Sequence, residues 1–415
     1  MKFCTDEVTG VRVYGRNVVV RARQVLDTMP QCALLPFVFF SVSIACSYFE
    51  IMSEGLFAKL PFDRYSSFLV TDTISQSSTP AMWFFNRKGP SGFSGASTAE
   101  EVTAGVDGRG LVAVITGASS GIGLETARVL ALRSVHVVMA VRKVAAGLKA
   151  SEAIRAEIAG AKVHVLELDL SSMDSVRRFA SEFDSLNLPL NILINNAGIL
   201  AKNCTRSIDG LELHFATNHI GHFLLTNLLL ENMKNASRES GVEGRIINVS
   251  SSGHIMTYPE GICFDKVKDP SRFWTYIAYG QSKLANILHS IELARILKCD
   301  QGDDVNILTN AIHPGVVGTN LFKHRASANA VVNSIGRIVR KTVEQGAATT
   351  CYVALHPQVT RISGKYFSNC NLETPSSQAS NSELAKKLWE FSTKEKEEND
   401  DDIDQEDVLV EEMDE

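Results

Sequence analysis

A tyrosine and a lysine stand four residues apart in the run AYGQSKLANILHS, as Tyr279 and Lys283. The run is typical of a helix, and four residues is just over one helical turn, so both side chains project from one face. A phenol with a pKa of about 10 is a weak acid at neutral pH, but a nearby ammonium favours the phenolate and lowers that pKa. The pair can therefore form one general acid, although Tyr and Lys also occur together on ordinary half-exposed helices.

Short β-branched runs alternate with longer amphipathic segments from Leu111 onward. The expected strands are LVAVIT, VHVVMAV, KVHVLEL, NILIN, RIINVS, NILTNAIH and GKYF. This alternation predicts an α/β fold, a single doubly wound Rossmann-type domain with a parallel sheet of about seven strands flanked by helices. Ligands of such sheets bind at the carboxyl ends of the strands.

The first expected strand leads directly into TGASSGIG, which places Gly117, Gly121 and Gly123 before an amphipathic helix. Glycines at this spacing let main-chain N–H groups and a helix N-terminus approach a pyrophosphate without an intervening Cβ. The second strand should deliver the residue that contacts the adenosine ribose, and it delivers Arg142 rather than an acid. An arginine offers charge-assisted hydrogen bonds to a 2′-phosphate, which favours NADPH/NADP as the cofactor. The alternative is an arginine on a solvated loop.

Several motifs stand in the order typical of the short-chain dehydrogenase/reductase family. They are TGASSGIG, the Asp-Leu pair at Asp169, NNAG from Asn195, NHIGHF from Asn218, VSSSG around Ser251, YGQSK, and HPGVVGTNL from His313. The chain resembles this family from roughly residue 110 to residue 391. The long interval between the serine and the tyrosine is similar to that of the retinol-dehydrogenase-like branch.

The resemblance implies an NADP-dependent enzyme that reduces a carbonyl, or oxidises an alcohol, by a Ser-Tyr-Lys mechanism with an asparagine proton relay. Asn218 would anchor the relay, Ser251 would orient the carbonyl, and Tyr279 would be the acid beside Lys283. Ser250 and Ser252 are the alternatives for the serine. The implied cofactor contacts are Gly117, Ser119, Ser120, Gly121, Ile122, Gly123, Arg142, Asp169, Leu170, Asn196, Ala197, Gly198, Tyr279, Lys283, Pro314, Gly315 and Thr319.

The segment MWFFNRKGPSGFSGASTAEEV, which begins at Met82, resembles a plant group of the same family, as do QGAATTCYVALHP and LAKKLWEFS. That group consists of short-chain dehydrogenases of the chloroplast inner-envelope protein-import translocon. The likeness implies a peripheral location at that membrane, with translocon subunits as partners, against the alternative of another membrane-associated or cytosolic location. It also raises a second function, that of an NADPH-binding subunit that senses redox state.

Four regions follow from composition along the chain. Residues 1–81 form an atypical extension whose uncharged apolar run, 32–49, follows several arginines, and we expect an anchor, a targeting segment or untranslated sequence. Residues 82–110 are expected to be a linker with a short helix capped by Ser97 and Glu100. Residues 111–393 are the expected NADP-binding domain, and residues 394–415 an acidic disordered tail.

Apolar residues at 45% and charged residues at 21% are typical of a globular protein. The formal charge of −6 arises from the final stretch EENDDDIDQEDVLVEEMDE, whose dozen acids leave a net charge of about +6 on the rest. The eight cysteines have no paired spacing, which favours a reducing compartment. His214, His219 and His222 have no acid or cysteine at ligand spacing, so we expect hydrogen-bonded helix histidines and no metal.

Two stretches, SIGRIVRKTV from Ser334 and LAKKLWEFSTK from Leu384, carry basic and apolar residues at helical spacing. Basic amphipathic helices of this kind can bind calmodulin, although most such helices simply cover a core. Calmodulin is therefore a candidate partner beside a small carbonyl or alcohol substrate. No nucleic-acid partner is expected.

Overall fold

The computed structural model describes residues 87–203, 205–269, 274–300, 306–317 and 341–414, with the side chains of 300 and of 400–414 outside that description. The chain divides between Ser78 and Thr79, and every described residue belongs to the unit Thr79–Glu415. The extension 1–81 with its apolar run and most of the first amphipathic stretch, 334–340, lie outside the described residues. None of the helices described has the length and apolarity needed to cross a membrane.

Within the described residues, eight strands form one sheet in the order β3-β2-β1-β4-β5-β6-β7-β8. The strands are β1 Val112–Thr116, β2 His136–Val141, β3 Val163–Glu167, β4 Ile192–Asn195, β5 Gly244–Val249, β6 Ile307–His313, β7 Tyr366–Ser368 and β8 Asn371–Glu373. Strands β1 to β7 are parallel, and β8 pairs antiparallel with β7. The doubly wound parallel fold predicted from the sequence is confirmed, and β8 is an addition to it.

Helices cover both faces of the sheet. They are α1 Ala99–Val102, α2 Gly121–Leu132, α3 Val144–Glu157, α4 Met173–Ser185, α5 Leu213–Phe215, α6 Gly221–Ser240, α7 Phe264–Lys268, α8 Thr275–Asp300, α9 Val343–Leu355 and α10 Ser382–Asp414. Helices α4, α6, α8 and α10 contribute to the core on one face, and α1, α2, α3 and α9 to the core on the other. Both faces are thus buried, as the continuous apolar strands require.

The described part of the expected linker packs against the domain. Helix α1 buries Ala99 and Val102 completely or nearly so. Its capping box joins Thr98 to Glu101, one residue later than the sequence predicted, because the Ser97 hydroxyl instead accepts the Ser94 N–H. This part of the segment is therefore a folded layer of the domain and not a free linker.

Helix α10 continues through the boundary expected at 393/394 and ends at Asp414. Contacts to the domain explain why its acidic portion begins in a helix. Lys268 pairs with Glu395 at 2.8 Å and with Glu398 at 3.0 Å, and Lys394 pairs with Glu398 one turn along the helix. The structure therefore differs from the disordered tail that composition favoured.

Candidate active site

The turn between β1 and α2 is open to an anionic group. Gly117 and Gly121 have positive φ angles, +67° and +56°. A Cβ at Gly123 would lie 2.5 Å from the Gly117 carbonyl oxygen, so only glycine permits this approach. The residue before the helix, Ser120, makes no side-chain cap, which leaves the first N–H groups of α2 without that partner. Ser119 and Ile122 lie half-buried in the same turn.

Charged residues follow the next two strands at the same edge. Arg142 comes directly after β2 and is exposed, and the described residues offer it no hydrogen bond or ion pair. Asp169 comes after β3, where its carboxylate accepts the Ser171 N–H and hydroxyl. Leu170 is buried, and its main-chain oxygen would meet any Cβ at Gly221, the first residue of α6. A nicotinamide dinucleotide fits this arrangement of groups.

The segment that follows β4 is fastened to the end of β1. The Thr116 hydroxyl oxygen accepts the N–H groups of Asn196 and Ala197, each at 2.9 Å. The Asn196 side chain also donates to the Thr116 carbonyl at 2.8 Å. A Cβ at Gly198 would lie 3.1 Å from Lys283 Nζ, so this segment passes directly over the lysine.

Asn218 lies in a π-helical turn, Ala216–Ile220, between α5 and α6. Its side-chain oxygen accepts the Ile199 N–H at 2.8 Å, and its amide donates to the Ser282 hydroxyl at 2.9 Å. The side chain therefore braces the segment after β4 against α8. Single π turns of this kind are frequent at functional sites.

Ser251 follows β5 and caps a short 3₁₀ turn, accepting the Gly253 N–H at 3.0 Å. Its side chain lies close enough to the Tyr279 phenol to lower the pKa of that phenol. The alternatives differ: Ser250 is buried and donates to the Lys283 carbonyl, and Ser252 is exposed. Ser251 is therefore the serine that the structure brings to the tyrosine.

Tyr279 and Lys283 both lie on α8, and the Lys283 Nζ is 5.8 Å from the centre of the phenol ring. Lys283 is only 3% exposed and donates to the Val249 carbonyl at 3.0 Å. Three N–H donors belong to an ammonium, so this bond engages only one of them. The structure thus brings Asn218, Ser251, Tyr279 and Lys283 to one place at the carboxyl edge of the sheet.

Burial controls the ionisation of the pair. It raises the pKa of Tyr279, and the hydrogen bond from Ser251 only partly opposes that rise. It lowers the pKa of Lys283 to about 8. Desolvation therefore penalises the charged forms of both groups.

The strand β6 supplies the far side of the site. Pro314 is buried, and Gly315 has a φ of +93°. A Cβ at Gly315 would overlap the stem of Lys341, whose ammonium donates to Asn369 at 2.8 Å. Thr319, expected to contact the nicotinamide end, lies outside the described residues.

The three histidines considered for metal binding are hydrogen-bonded to other groups. His214 bonds Glu212 at 2.6 Å through Nδ1, and its Nε2 accepts the Ala201 N–H at 2.8 Å. His219 bonds Ser392 of α10 at 2.9 Å, and His222 bonds Thr116 at 2.8 Å. No group of His, Cys, Asp and Glu residues suited to a metal occurs in the described ranges.

Known proteins are similar to this chain over most of its length. A family model described as short chain dehydrogenase matches residues 111–269. A Brassica napus relative, "Short-chain dehydrogenase TIC 32 B, chloroplastic", is 53% identical over 74% of this chain and 95% of its own length. The chain belongs to the short-chain dehydrogenase family.

Other members of the short-chain dehydrogenase family confirm the predicted branch. Retinol dehydrogenase 12 of Mus musculus is 41% identical over 68% of this chain and 85% of its own length. The crystal structure of an uncharacterised protein from Mycobacterium paratuberculosis superposes with a TM-score of 0.56 at 31% identity, covering 72% of this chain and 97% of that one.

Three polar residues of the site were missed from the sequence. Thr116 ends β1, Ser282 lies inside YGQSK, and His222 follows Asn218 by four residues. The spacing of four between Asn218 and His222, which places them on one helix face, was the available signal. The bonds of Thr116 join residues about 80 to 106 positions apart, and no local pattern reports them.

Proposed function

We propose that the protein is an NADPH-dependent oxidoreductase that reduces a carbonyl, or oxidises an alcohol, with Ser251, Tyr279 and Lys283 as its catalytic residues. The observation that carries this proposal is that Ser251 lies beside Tyr279, with the buried ammonium of Lys283 one helical turn away on α8 and 5.8 Å from the phenol ring. A purely structural role does not explain the buried lysine, because burying an ammonium without an acidic partner costs stability.

The cofactor site supports NADPH over NADH. The uncapped start of α2 and the glycine turn suit a pyrophosphate, and the unpaired Arg142 suits a 2′-phosphate. When bound, the nicotinamide supplies or accepts the hydride. Arg142, with its exposed guanidinium after β2, is the residue that discriminates between the two cofactors.

Each catalytic side chain has a separate task. Tyr279 keeps its proton because burial raises its pKa, so the phenol can donate to a carbonyl oxygen as that oxygen gains charge. Ser251 hydrogen-bonds the same oxygen and shares the charge. Lys283 stabilises the phenolate that remains, and Asn218, the expected anchor of a proton relay, holds the segment after β4 in place through its side chain.

The test is a screen for NADPH consumption with retinal-like, steroid-like and small quinone carbonyls. We expect turnover with at least one class, and we expect Ser251→Ala to reduce it by about 10²-fold through the loss of one hydrogen bond to the oxyanion. Ser252→Ala is the matched control, since Ser252 is exposed and its hydroxyl has no hydrogen bond to Tyr279 among the described residues. Equal activity of all three proteins would overturn the assignment of Ser251.

A second candidate function is that of an NADPH-binding, redox-sensing subunit of the chloroplast protein-import translocon, peripheral at the inner envelope. Its support is the 53% identity to TIC 32 B over 95% of that protein. The test is co-purification with inner-envelope translocon subunits in NADPH or in NADP. Co-purification that depends on the redox state, and that survives Tyr279→Phe, would favour sensing over catalysis.

Calmodulin is the partner proposed together with this second function. Helix α10 buries Leu384 and Leu388 against the domain and leaves Lys386 and Lys387 exposed. Calmodulin binding through its apolar face therefore requires α10 to leave the domain. The test is calcium-dependent retention of the full chain on immobilised calmodulin, and no retention would remove this partner.

A further inference from the structure

His222 lies where the cofactor side and the catalytic side of the site meet. It stands in the first turn of α6, one residue after the start of that helix, and is 1% exposed. Its Nδ1 lies 3.1 Å from the main-chain oxygen of Asn218, and its Nε2 lies 2.8 Å from the Thr116 hydroxyl. The ring thus spans from the π turn to the end of β1.

The partners of the ring determine where its proton resides. A main-chain carbonyl only accepts, so Nδ1 carries the hydrogen and donates it to Asn218. Nε2 then presents a lone pair and accepts the hydrogen of the Thr116 hydroxyl. Burial supports this neutral form, because it lowers the pKa of His222 to about 3.

The donors and acceptors around the Thr116 hydroxyl agree with this tautomer. A threonine hydroxyl has one hydrogen and two lone pairs. Its hydrogen goes to His222 Nε2 at 2.8 Å in preference to the Ile194 carbonyl at 3.4 Å, and its two lone pairs accept the N–H groups of Asn196 and Ala197. The opposite tautomer would ask the hydroxyl oxygen to accept three hydrogens and would set a lone pair against the Asn218 carbonyl. The arrangement with the hydrogen on Nδ1 satisfies the ring, the Asn218 carbonyl and the Thr116 hydroxyl together.

Asn218 lies in a π turn, whose main-chain hydrogen bonds depart from the regular helical pattern. The Gly221 N–H bonds Ala216, five residues back, where a regular helix would bond four residues back. We propose that His222 is a positioning residue, which fixes the Asn218 main-chain carbonyl relative to the Asn196–Ala197 segment and so sets the distance between the catalytic residues and the cofactor. This inference rests on the oxidoreductase function proposed above.

The test compares His222→Leu with His222→Gln. Leucine removes both hydrogen bonds, and glutamine can donate to one partner and accept from the other. We expect the leucine variant to lose about 10- to 100-fold in kcat and to bind NADPH more weakly, because misplacements of the order of 1 Å have effects of that size. The glutamine variant should recover most of both losses, which a purely space-filling role would not produce.

His289→Leu is the matched control. His289 is also a buried histidine, 3% exposed, and its Nε2 has no hydrogen-bond partner among the described residues. Its ring packs against His219, Phe223 and Trp389, and it makes no hydrogen bond to Asn218 or Thr116 among the described residues. We expect its kcat and its dissociation constant for NADPH to stay within about twofold of the parent, whatever the change in Tm.

Several results would overturn the inference. They are unchanged kcat and NADPH affinity in a folded His222→Leu protein, equal losses in the His289→Leu control, and no recovery with glutamine. Should the leucine variant fail to fold, His222→Asn replaces it, because asparagine can still donate to Asn218 but is one methylene too short to reach Thr116. NADPH affinity is measured by titration of nucleotide fluorescence and tests the role of His222 even if no carbonyl is turned over. Failure of the proposed oxidoreductase function is therefore distinguishable from failure of this inference.

Discussion

Three buried histidines make the stability of the domain sensitive to acid. His219, His222 and His289 are each at most 3% exposed. Burial is the main cause that lowers their pKa values, to about 3 for His222 and about 4 for His289, and His289 and Lys283 add repulsion to His219 and His222 respectively. All three are therefore neutral in the folded protein and take up protons when it unfolds.

The sign and size of the effect follow from proton linkage. Below the ordinary histidine pKa of about 6.5 the unfolded chain binds more protons, so stability is complete above that pH and falls as the pH falls below it. At pH 5.5 each histidine costs about 1.4 kcal/mol, or about 4 kcal/mol for the three. A loss of that size is a large part of the 5–15 kcal/mol typical of a domain.

The assay is urea unfolding followed by circular dichroism at pH 7.5 and pH 5.5. The variant His289→Leu removes one of the three protons, so its loss of stability between the two pH values should shrink by about 1.4 kcal/mol. The absolute stability of the variant is not decisive, since only the difference between the two pH values reports the proton. An unfolding midpoint that stays constant, or rises, between pH 7.5 and pH 5.5 would refute the reasoning.

Two further predictions concern the cofactor and the catalytic serine. Arg142→Ala should weaken NADPH binding by about 10- to 100-fold, through the loss of charge-assisted hydrogen bonds, and should leave NADH binding nearly unchanged. The control Lys149→Ala, at an exposed position, should change the affinity for neither cofactor. A preference for NADH in the parent protein would contradict this prediction. Gly280→Ala should lower kcat by at least about tenfold, because a Cβ there would overlap the Met256 carbonyl and push the helix that carries Tyr279 away from Ser251; an alanine variant with the parent's kcat would show that this close approach is unnecessary.

The sequence predicted the fold and the residues of the site where the signal was local. Apart from the edge strand β3, the parallel strands are buried apolar runs with turn residues at their ends, and the glycine turn and YGQSK each lie within one short segment. The strand β8 was missed, since its three residues carry no periodic pattern. The capping box was placed one residue early, because Ser97 and Thr98 are equally good caps by type and only the contact with Ser94 separates them.

The ionisation of the site could not be predicted, because it depends on burial. The spacing of Tyr279 and Lys283 indicated attraction between phenolate and ammonium, but it did not indicate that burial raises the pKa of Tyr279 and lowers the pKa of Lys283. The role of His222 was hidden for a similar reason, since Thr116 is 106 residues away in the chain. The helical start of the acidic segment likewise depends on Lys268, which lies far from it in sequence.

The most direct test of the proposed mechanism is the turnover of purified Tyr279→Phe with NADPH and a carbonyl accepted by the parent protein. If Tyr279 is the acid, turnover should fall by roughly 10²–10⁴, the usual contribution of a positioned acid–base group. NADPH binding should stay nearly unchanged, because the phenol donates its proton to the substrate oxygen. Substantial carbonyl turnover by the folded phenylalanine variant would contradict the mechanism.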